Sequence, residues 1–165
     1  MKKLILVRHA KSSWEDENLD DFNRPLSTRG EYSSNVMKSF IDHKIDINDF
    51  NIFSSNAIRA KATTDIIFNN QKVTLLRELY TFEEKDLLKW LKRQKNKKNT
   101  IIIGHNPALI NLINLLCKND ILNFPTCAVC QVNLNIDSWS DMKKNIGNIS
   151  YFQKVKDLKE YNYHQ

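Results

Sequence analysis

The sequence predicts an α/β protein in which a mostly parallel sheet lies between two layers of helices. Short apolar runs alternate along the chain with longer segments of helical periodicity. Strands that alternate with helices favour a parallel sheet covered on both faces. The last two predicted strands have no long helix between them, which indicates that one of them is antiparallel. We therefore expect a three-layer α/β/α sandwich with a mixed, mostly parallel sheet.

Each strand and helix is predicted by its own pattern of apolar residues. The strands are expected at 3–7, 50–55, 72–76, 99–104, 128–136 and 148–155, and the helices at 27–44, 57–70, 83–94 and 106–118. Ser27 is a preferred N-cap residue, and the helix after it places Val36, Met37, Phe40 and Ile41 on one stripe. Asn106 is typical of a cap and Pro107 of a first helical position.

The length and composition indicate a single domain that covers residues 1–165. A chain of 165 residues can bury a substantial core. No apolar run approaches the ~20 residues that a membrane-spanning helix needs. Residues 1–7 are too short for a signal peptide and lead directly into a charged motif. We expect a cytoplasmic protein that contacts no membrane.

Two of the three cysteines, Cys127 and Cys130, form a CxxC pattern inside a predicted strand. Residues three apart in a strand face opposite sides, and no second Cys/His pair lies nearby to complete a zinc site. We therefore interpret these cysteines as structural and expect no metal.

The formal net charge of +6 favours anionic partners. Much of the positive charge lies in the run Lys89–Lys98. A solvated helix end is the commoner explanation of such a run, and no aromatic platform for bases accompanies it. We do not expect the protein to bind nucleic acid.

Polar side chains follow three of the predicted strands at their carboxyl ends. Arg8 and His9 follow the first strand, Arg59 lies in the helix after the second, and His105 follows the fourth. Ligands of open α/β sheets bind beyond the carboxyl ends of the strands. Singly, His105 is more often a structural histidine and Arg59 a surface residue, but we expect the four to share one rim.

Each of these residue types suits phosphoryl chemistry. A guanidinium matches phosphate oxygens with a fixed fork of donors. An unprotonated histidine can attack phosphorus, and a second histidine can stabilise charge in the transition state. His105 also lies near a predicted helix N-terminus, which favours an anion. We expect that an inorganic phosphate or sulfate ion can occupy this rim.

The motifs around these residues resemble those of the histidine phosphatase superfamily, whose fold is phosphoglycerate mutase-like. "LVRHAKSSW" resembles the Arg-His-Gly signature, with Ala10 in place of the glycine. "RPLSTRG", "SSNAIRAKATTDII" and "IIIGHNPAL" are similar to three further motifs of the superfamily, in the same order. "RHAKSSW…LDDFNRPL" and "FPTCAVCQVNL" look most like the SixA-type phosphohistidine phosphatases.

The resemblance implies a hydrolase with His9 as the nucleophile, which would form a transient phosphohistidine. Arg8, Arg59 and His105 would bind the phosphoryl group, and Ser12 is a further candidate phosphate contact. No metal and no cofactor are implied, because these side chains supply the positive charge. The partner would be a phosphorylated protein or a small phosphorylated molecule.

The proton donor decides between substrates, because an alkoxide leaving group needs an acid. In "LLRELYTFEE", Glu78 is the candidate donor, and Glu83 and Glu84 are less favoured because acidic residues commonly begin a helix. An imidazole leaving group needs no such acid, so phosphohistidine is the favoured substrate. The alternatives are a phosphomonoesterase of small molecules, such as sugar phosphates, and a non-catalytic module that binds phosphoproteins.

Overall fold

A computed structural model of the chain describes residues 1–118 and 121–164. Within these ranges, six strands and four α-helices alternate along the sequence, except that no α-helix separates the last two strands. The strands are β1 (Lys2–Arg8), β2 (Phe50–Ser55), β3 (Val73–Leu76), β4 (Asn99–Gly104), β5 (Val129–Leu134) and β6 (Gly147–Gln153). The helices are α1 (Thr28–Lys44), α2 (Ile58–Ile67), α3 (Glu84–Lys92) and α4 (Ala108–Leu116). Each lies within a few residues of its predicted position.

The strands form one sheet in the order β3-β2-β4-β1-β5-β6. The first four of these strands are mutually parallel, whereas β5 runs antiparallel to both of its neighbours. The predicted mixed, mostly parallel sheet is therefore confirmed. As a consequence, the carboxyl ends of β1, β2 and β4 lie at the same edge of the sheet.

The helices cover both faces of the sheet and give it three layers. Ile5 and Val7 of β1 pack in one core cluster with residues of α1 and α2, whereas Leu4 and Leu6 pack in another with residues of α3 and α4. All four β1 side chains are fully buried. Burial of each stabilises the fold by roughly 1.5–3 kcal/mol. Since both faces are buried, the strand is a continuous apolar run without alternation.

The start of α4 differs from the sequence prediction. The helix begins at Ala108, and Pro107 is the residue before it, so the predicted first helical position was wrong. The Asn106 side chain accepts from the Ile110 backbone N–H at 3.3 Å and donates to the Phe124 carbonyl at 2.8 Å. Asn106 therefore ties the helix start to the segment before β5 in addition to serving its first turn.

The two cysteines of the CxxC pattern lie on opposite faces, but the prediction that one strand contains both is wrong, because Cys127 precedes β5 and has a φ of 64°. Cys127 belongs to the core cluster of α1 and α2, and Cys130 belongs to that of α3 and α4. Burial raises the pKa of both thiols to about 12. Both remain protonated at neutral pH, which makes them poor nucleophiles.

The basic run is a solvated helix end, as predicted. Lys89 and Lys92 are exposed, whereas Trp90 and Leu91 between them are buried. The α3 helix therefore packs its apolar stripe on the sheet and keeps its lysines in water. No helix in the described ranges is both long enough and apolar enough to cross a membrane.

Gly30 allows α1 to approach the backbone that follows His9. A Cβ atom at this position would lie 2.2 Å from the carbonyl oxygen of Lys11. The same carbonyl accepts from the backbone N–H of Ser27 at 2.9 Å and from its hydroxyl at 3.0 Å. The start of α1 is thus fixed against the Lys11 segment, with no space for a side chain between them.

We predict that Gly30→Ala lowers the free energy of unfolding by roughly 1–3 kcal/mol, because the added methyl group forces the two backbones apart. Urea denaturation measures this loss. Gly104→Ala is the matched control, since its Cβ would have its nearest neighbour at 3.5 Å. Equal stability of Gly30→Ala and wild type would contradict the close approach.

Candidate active site

The backbone of His9 is held from two sides at the end of β1. Its N–H donates to the carbonyl of Gly104, at the end of β4, at 3.1 Å. The Cys127 N–H, just before β5, donates to the carbonyls of Arg8 at 3.0 Å and His9 at 3.1 Å. Both neighbouring strands therefore fix the position from which the His9 side chain projects.

Thr63 of α2 holds the residue after His9. Its hydroxyl accepts from the Ala10 N–H at 2.9 Å and donates to the Arg59 carbonyl at 2.8 Å. Cys127 and Asn145 are the non-glycine residues with positive φ in the described ranges, so Ala10 is outside that region. The backbone there does not require the glycine that the signature of the superfamily carries.

The hydrogen bonds of the His9 ring fix its tautomer. Nδ1 lies 2.7 Å from the Ala10 carbonyl, which can only accept, so Nδ1 carries the proton. The Nε2 atom accepts a hydrogen bond from Arg59 Nε at 3.3 Å, so Nε2 itself carries no proton. Only 6% of His9 is exposed. His9 therefore presents an unprotonated Nε2 atom toward the guanidinium of Arg59.

His105 lies beside His9 and contacts the same guanidinium. Its ring centroid is 5.1 Å from that of His9, and its Nδ1 atom lies 3.4 Å from Arg59 Nη2. An arginine can only donate, so Nδ1 accepts and Nε2 donates to the Ser55 hydroxyl at 2.7 Å. Ser55, at the end of β2, thereby orients the second histidine.

Asp21 fixes the remaining face of the Arg59 guanidinium. It belongs to a 3₁₀ turn, Asp21–Asn23, between β1 and α1. Arg59 donates to its carbonyl at 2.5 Å and to its carboxylate at 2.9 Å. The carboxylate also accepts from Arg24 at 3.0 Å and from the Tyr80 hydroxyl at 2.6 Å. One carboxylate thus orients two arginines.

The charge state of Asp21 follows from these contacts. Burial acts to raise its pKa, but the hydrogen bonds from Tyr80, Arg24 and Arg59 together hold the pKa well below its usual range. At neutral pH the group is a carboxylate that has no proton to donate.

Arg8 and Arg24 complete a group of three buried or half-buried arginines. Arg8 donates to the Phe124 carbonyl at 3.0 Å, and Arg24 donates to the Ser12 hydroxyl. The Arg24 guanidinium also stacks 3.6 Å from the centre of the Trp14 ring. The Nε atoms of both arginines are buried without a hydrogen-bond partner in the described ranges. A buried unpaired donor is costly, and a bound anion would relieve that cost.

Burial and the neighbouring arginines keep both histidines neutral. The pKa of His9 is lowered to about 3, first by burial and then by the charges of Arg59, Arg8 and Arg24, against the bond to Ala10 that raises it. The pKa of His105 is lowered to about 2 by burial, by His9 and by Arg59. With neutral histidines, Asp21 is the one carboxylate bonded to these arginines in the described ranges. The site therefore has an excess of positive charge that attracts an anion.

The structure brings most of the residues of the predicted rim together. Arg59 is hydrogen-bonded to both His9 and His105. Arg8 lies near them, since the pKa of Arg8 is lowered first by burial and second by the charge of Arg59. Ser12 lies beside them through its bond to Arg24.

The structure does not join Glu78 to this cluster. Its carboxylate pairs with Arg93, and both side chains are about half exposed, at 51% and 52%. Tyr80, two residues further on, packs instead against His105 with ring centroids 5.3 Å apart. Glu83 and Glu84 begin α3, where their charge favours the helix N-terminus.

Four residues at the site received no role from the sequence: Asp21, Arg24, Ser55 and Tyr80. Asp21 and Arg24 lie within the stretch "LDDFNRPL", whose resemblance to the SixA type was the available signal. Ser55 lies in the serine-arginine-threonine motif. No pattern in the sequence distinguished Tyr80 from its neighbours.

Comparison with solved structures shows which fold this is. The protein histidine phosphatase SixA, complexed with tungstate, matches 95% of this chain over 99% of its own, with a TM-score of 0.77 and 22% identity. The chain has the SixA-type fold. A phosphoserine phosphatase mutant from Entamoeba histolytica, in complex with phosphoserine, matches 96% of this chain over all of its own, with a TM-score of 0.68 and 15% identity. The SixA-type fold is thus shared with phosphatases of different specificity.

Sequence comparison gives matches to part of the chain. No family model matches the chain. A protein from Arabidopsis thaliana named Probable 2-carboxy-D-arabinitol-1-phosphatase is 29% identical over 127 residues, which cover 65% of this chain and 25% of that protein. The chain spans about a quarter of the length of the curated relatives it matches.

The lowered histidine pKa values predict a loss of stability in mild acid. Between about pH 6.5 and 3 the unfolded chain takes up protons that the folded His9 and His105 do not, so the free energy of unfolding falls as pH falls. His105→Asn removes one of these groups. Between pH 7 and 5 its slope should be smaller than that of wild type by up to about 1.4 kcal/mol per pH unit.

Urea denaturation in phosphate-free buffer measures the two slopes. Phosphate must be absent because a bound anion stabilises protonated histidine. Equal slopes for wild type and His105→Asn would contradict the neutral, buried state of His105.

Proposed function

We propose that the protein is a metal-independent phosphatase that hydrolyses phosphohistidine through a covalent intermediate on His9. The observation that carries this proposal is the combination of an unprotonated His9 Nε2 atom with buried guanidinium groups and a deprotonated Asp21. Such a site can attack phosphorus and hold its oxygens, but Asp21 has no proton to give to a leaving group.

The three arginines would hold the phosphoryl group, and neutral His105, whose Nδ1 accepts from Arg59, would position that guanidinium. The unpaired Nε atoms of Arg8 and Arg24 are donors that phosphate oxygens can accept from. Arg59 Nε, which now donates to His9 Nε2, would turn to the phosphoryl group as that nitrogen attacks. These cations offset the charge on the equatorial oxygens, which is the role that a metal has in other phosphatases.

In the first step, His9 Nε2 forms a bond to phosphorus while the bond from phosphorus to the substrate imidazole breaks. The departing imidazole nitrogen takes its proton from water. The Nδ1–H group of His9 stays hydrogen-bonded to the Ala10 carbonyl. This hydrogen bond stabilises the positive charge that develops on the ring.

In the second step, a water oxygen attacks the phosphorus of phospho-His9 and the bond to Nε2 breaks. One water proton goes to the phosphate or to solvent, and inorganic phosphate leaves. His9 returns to its unprotonated state, which its lowered pKa favours.

The states of two carboxyl groups, Asp21 and Glu78, support phosphohistidine over phosphate esters. Asp21 is deprotonated at neutral pH, and the Glu78 carboxylate is paired with Arg93 at the surface. An alkoxide could not take its proton from either group in this arrangement, whereas an imidazole leaving group needs no such donor.

A phosphomonoesterase of small molecules is the second candidate. It is favoured by the phosphoserine phosphatase with this fold and by the distant plant relative whose name is that of a sugar-acid phosphatase. A non-catalytic binding module is disfavoured, because binding alone gives no reason for a buried histidine with an unprotonated Nε2 atom among arginines.

A paired turnover assay separates these functions. Phosphohistidine and an aryl phosphate are given, with a chelator present, to wild type, His9→Ala and Glu78→Gln. We expect turnover of phosphohistidine that falls at least about a thousandfold in His9→Ala, because the nucleophile is lost. Glu78→Gln should remain near the wild-type rate.

Efficient hydrolysis of the aryl phosphate that collapses in Glu78→Gln would instead identify a phosphomonoesterase with Glu78 as its acid. Retained turnover in His9→Ala would contradict the assignment of the nucleophile.

A further inference from the structure

We propose that a basic pocket beside the active site binds acidic residues that flank the phosphohistidine of a protein substrate. The basic pocket is lined by Lys11, Arg29, Lys154 and Lys156, together with Thr126 and Tyr161. The inference rests on the proposed phosphohistidine activity and names the kind of substrate that this activity would serve.

The sheet places the basic pocket at the same edge as His9. Val7 of β1 pairs with Val129 of β5, which pairs with Gln153 of β6. Because β5 is antiparallel to both, β1 and β6 end at the same edge of the sheet. Lys154 follows directly on Gln153, two strands from β1, which corresponds to roughly 10 Å.

Two other sides of the pocket are continuous with the residues around His9. Lys11 lies two residues after His9, and Thr126 directly precedes Cys127, whose N–H donates to the carbonyls of Arg8 and His9. The pocket is therefore formed by the same segments that hold the nucleophile in place.

The four cations of the pocket are not neutralised by carboxylates. None of them has a carboxylate within ion-pair distance in residues 1–118 and 121–164. No residue that lines the pocket is acidic. Since like charges that crowd together repel each other, this arrangement favours a ligand with more than one negative charge.

Part of the pocket is preorganised. The Lys11 backbone is fixed against the start of α1 by Ser27 and by the close approach of Gly30. Arg29, in the first turn of α1, donates from Nε to the Tyr161 hydroxyl at 3.2 Å. The backbone of one cation and the guanidinium of another are thus held in place, and less order must be gained when an anion binds.

The distance to the pocket suits a peptide. An extended chain advances about 3.3 Å per residue, so a residue two or three positions from a phosphohistidine lies about 7–10 Å from it. A glutamate or aspartate at such a position can enter the pocket while the phosphoryl group is at His9.

Exposed aromatic residues at the site also suit a protein partner. Trp14 is 72% exposed where it stacks on Arg24, and Phe82 is 43% exposed where it packs against His105. Tryptophan and phenylalanine are enriched in protein interfaces. A protein substrate would therefore find apolar contacts beside Arg24 and His105 and charged contacts in the basic pocket.

Two synthetic phosphohistidine peptides test the inference. They are identical except that the residues two and three positions from the phosphohistidine are glutamates in one and glutamines in the other. For wild type at low salt we expect kcat/KM to be about fivefold higher for the glutamate peptide, as two solvent-exposed ion pairs can provide. The ratio should fall toward one at high salt, which screens exposed charges.

Charge reversal locates the source of this preference. In Lys154→Glu/Lys156→Glu the ratio should fall to one or below. Lys143→Glu/Lys144→Glu is the matched control, because it makes the same charge change at exposed residues before β6 begins, at the opposite edge of the sheet, and should keep the wild-type ratio. Within each variant, the glutamine peptide reports any general loss of activity.

Equal kcat/KM for the two peptides in wild type would overturn the inference and leave the proposed phosphohistidine activity standing. A preference that survives in Lys154→Glu/Lys156→Glu would overturn it as well. If neither peptide is hydrolysed while an aryl phosphate is, the proposed activity fails and the inference fails with it.

Discussion

The Arg59 guanidinium connects all parts of the candidate site. It donates to His9 at 3.3 Å, lies 3.4 Å from the acceptor nitrogen of His105 and is held by the Asp21 carboxylate at 2.9 Å. These partners come from the ends of β1 and β4 and from the turn before α1. Arg59 is 2% exposed, and a buried charge is stable only when it is paired and hydrogen-bonded. The fold therefore depends on this set of contacts as much as the chemistry does.

Burial has two effects at the site: it makes the arginine charges costly in free energy, and it keeps the histidines neutral. Removal from water and the charges of Arg59 and its neighbours lower the pKa of His9 and His105, so both rings stay neutral and can act as acceptors. Two donors of the arginines, the Nε atoms of Arg8 and Arg24, have no hydrogen-bond partner in the described ranges. In the proposed function a phosphoryl group would accept from these donors, and this argument for anion binding does not depend on resemblance to any relative.

The parts of the fold and of the site that have a periodic sequence pattern could be predicted, and the parts in irregular segments could not. Buried parallel strands are continuous apolar runs, and the direction of the strands alone placed His9, Arg59 and His105 at one edge. Asp21 comes from a non-periodic loop, so its bond to Arg59 could not be derived. After β3, a 3₁₀ turn decides that Tyr80 and not Glu78 meets His105, and residues two apart in such a turn point in different directions.

The most direct test of the account is to trap the phosphorylated enzyme. The protein is mixed with a phosphohistidine peptide, the reaction is quenched in alkali, in which phosphohistidine is stable, and the phosphorylated fragment is identified by mass spectrometry. The account predicts one phosphoryl group on His9, lost on acid treatment and absent in His9→Ala. Turnover with no phosphoryl group on His9, or with the label on another side chain, would contradict it.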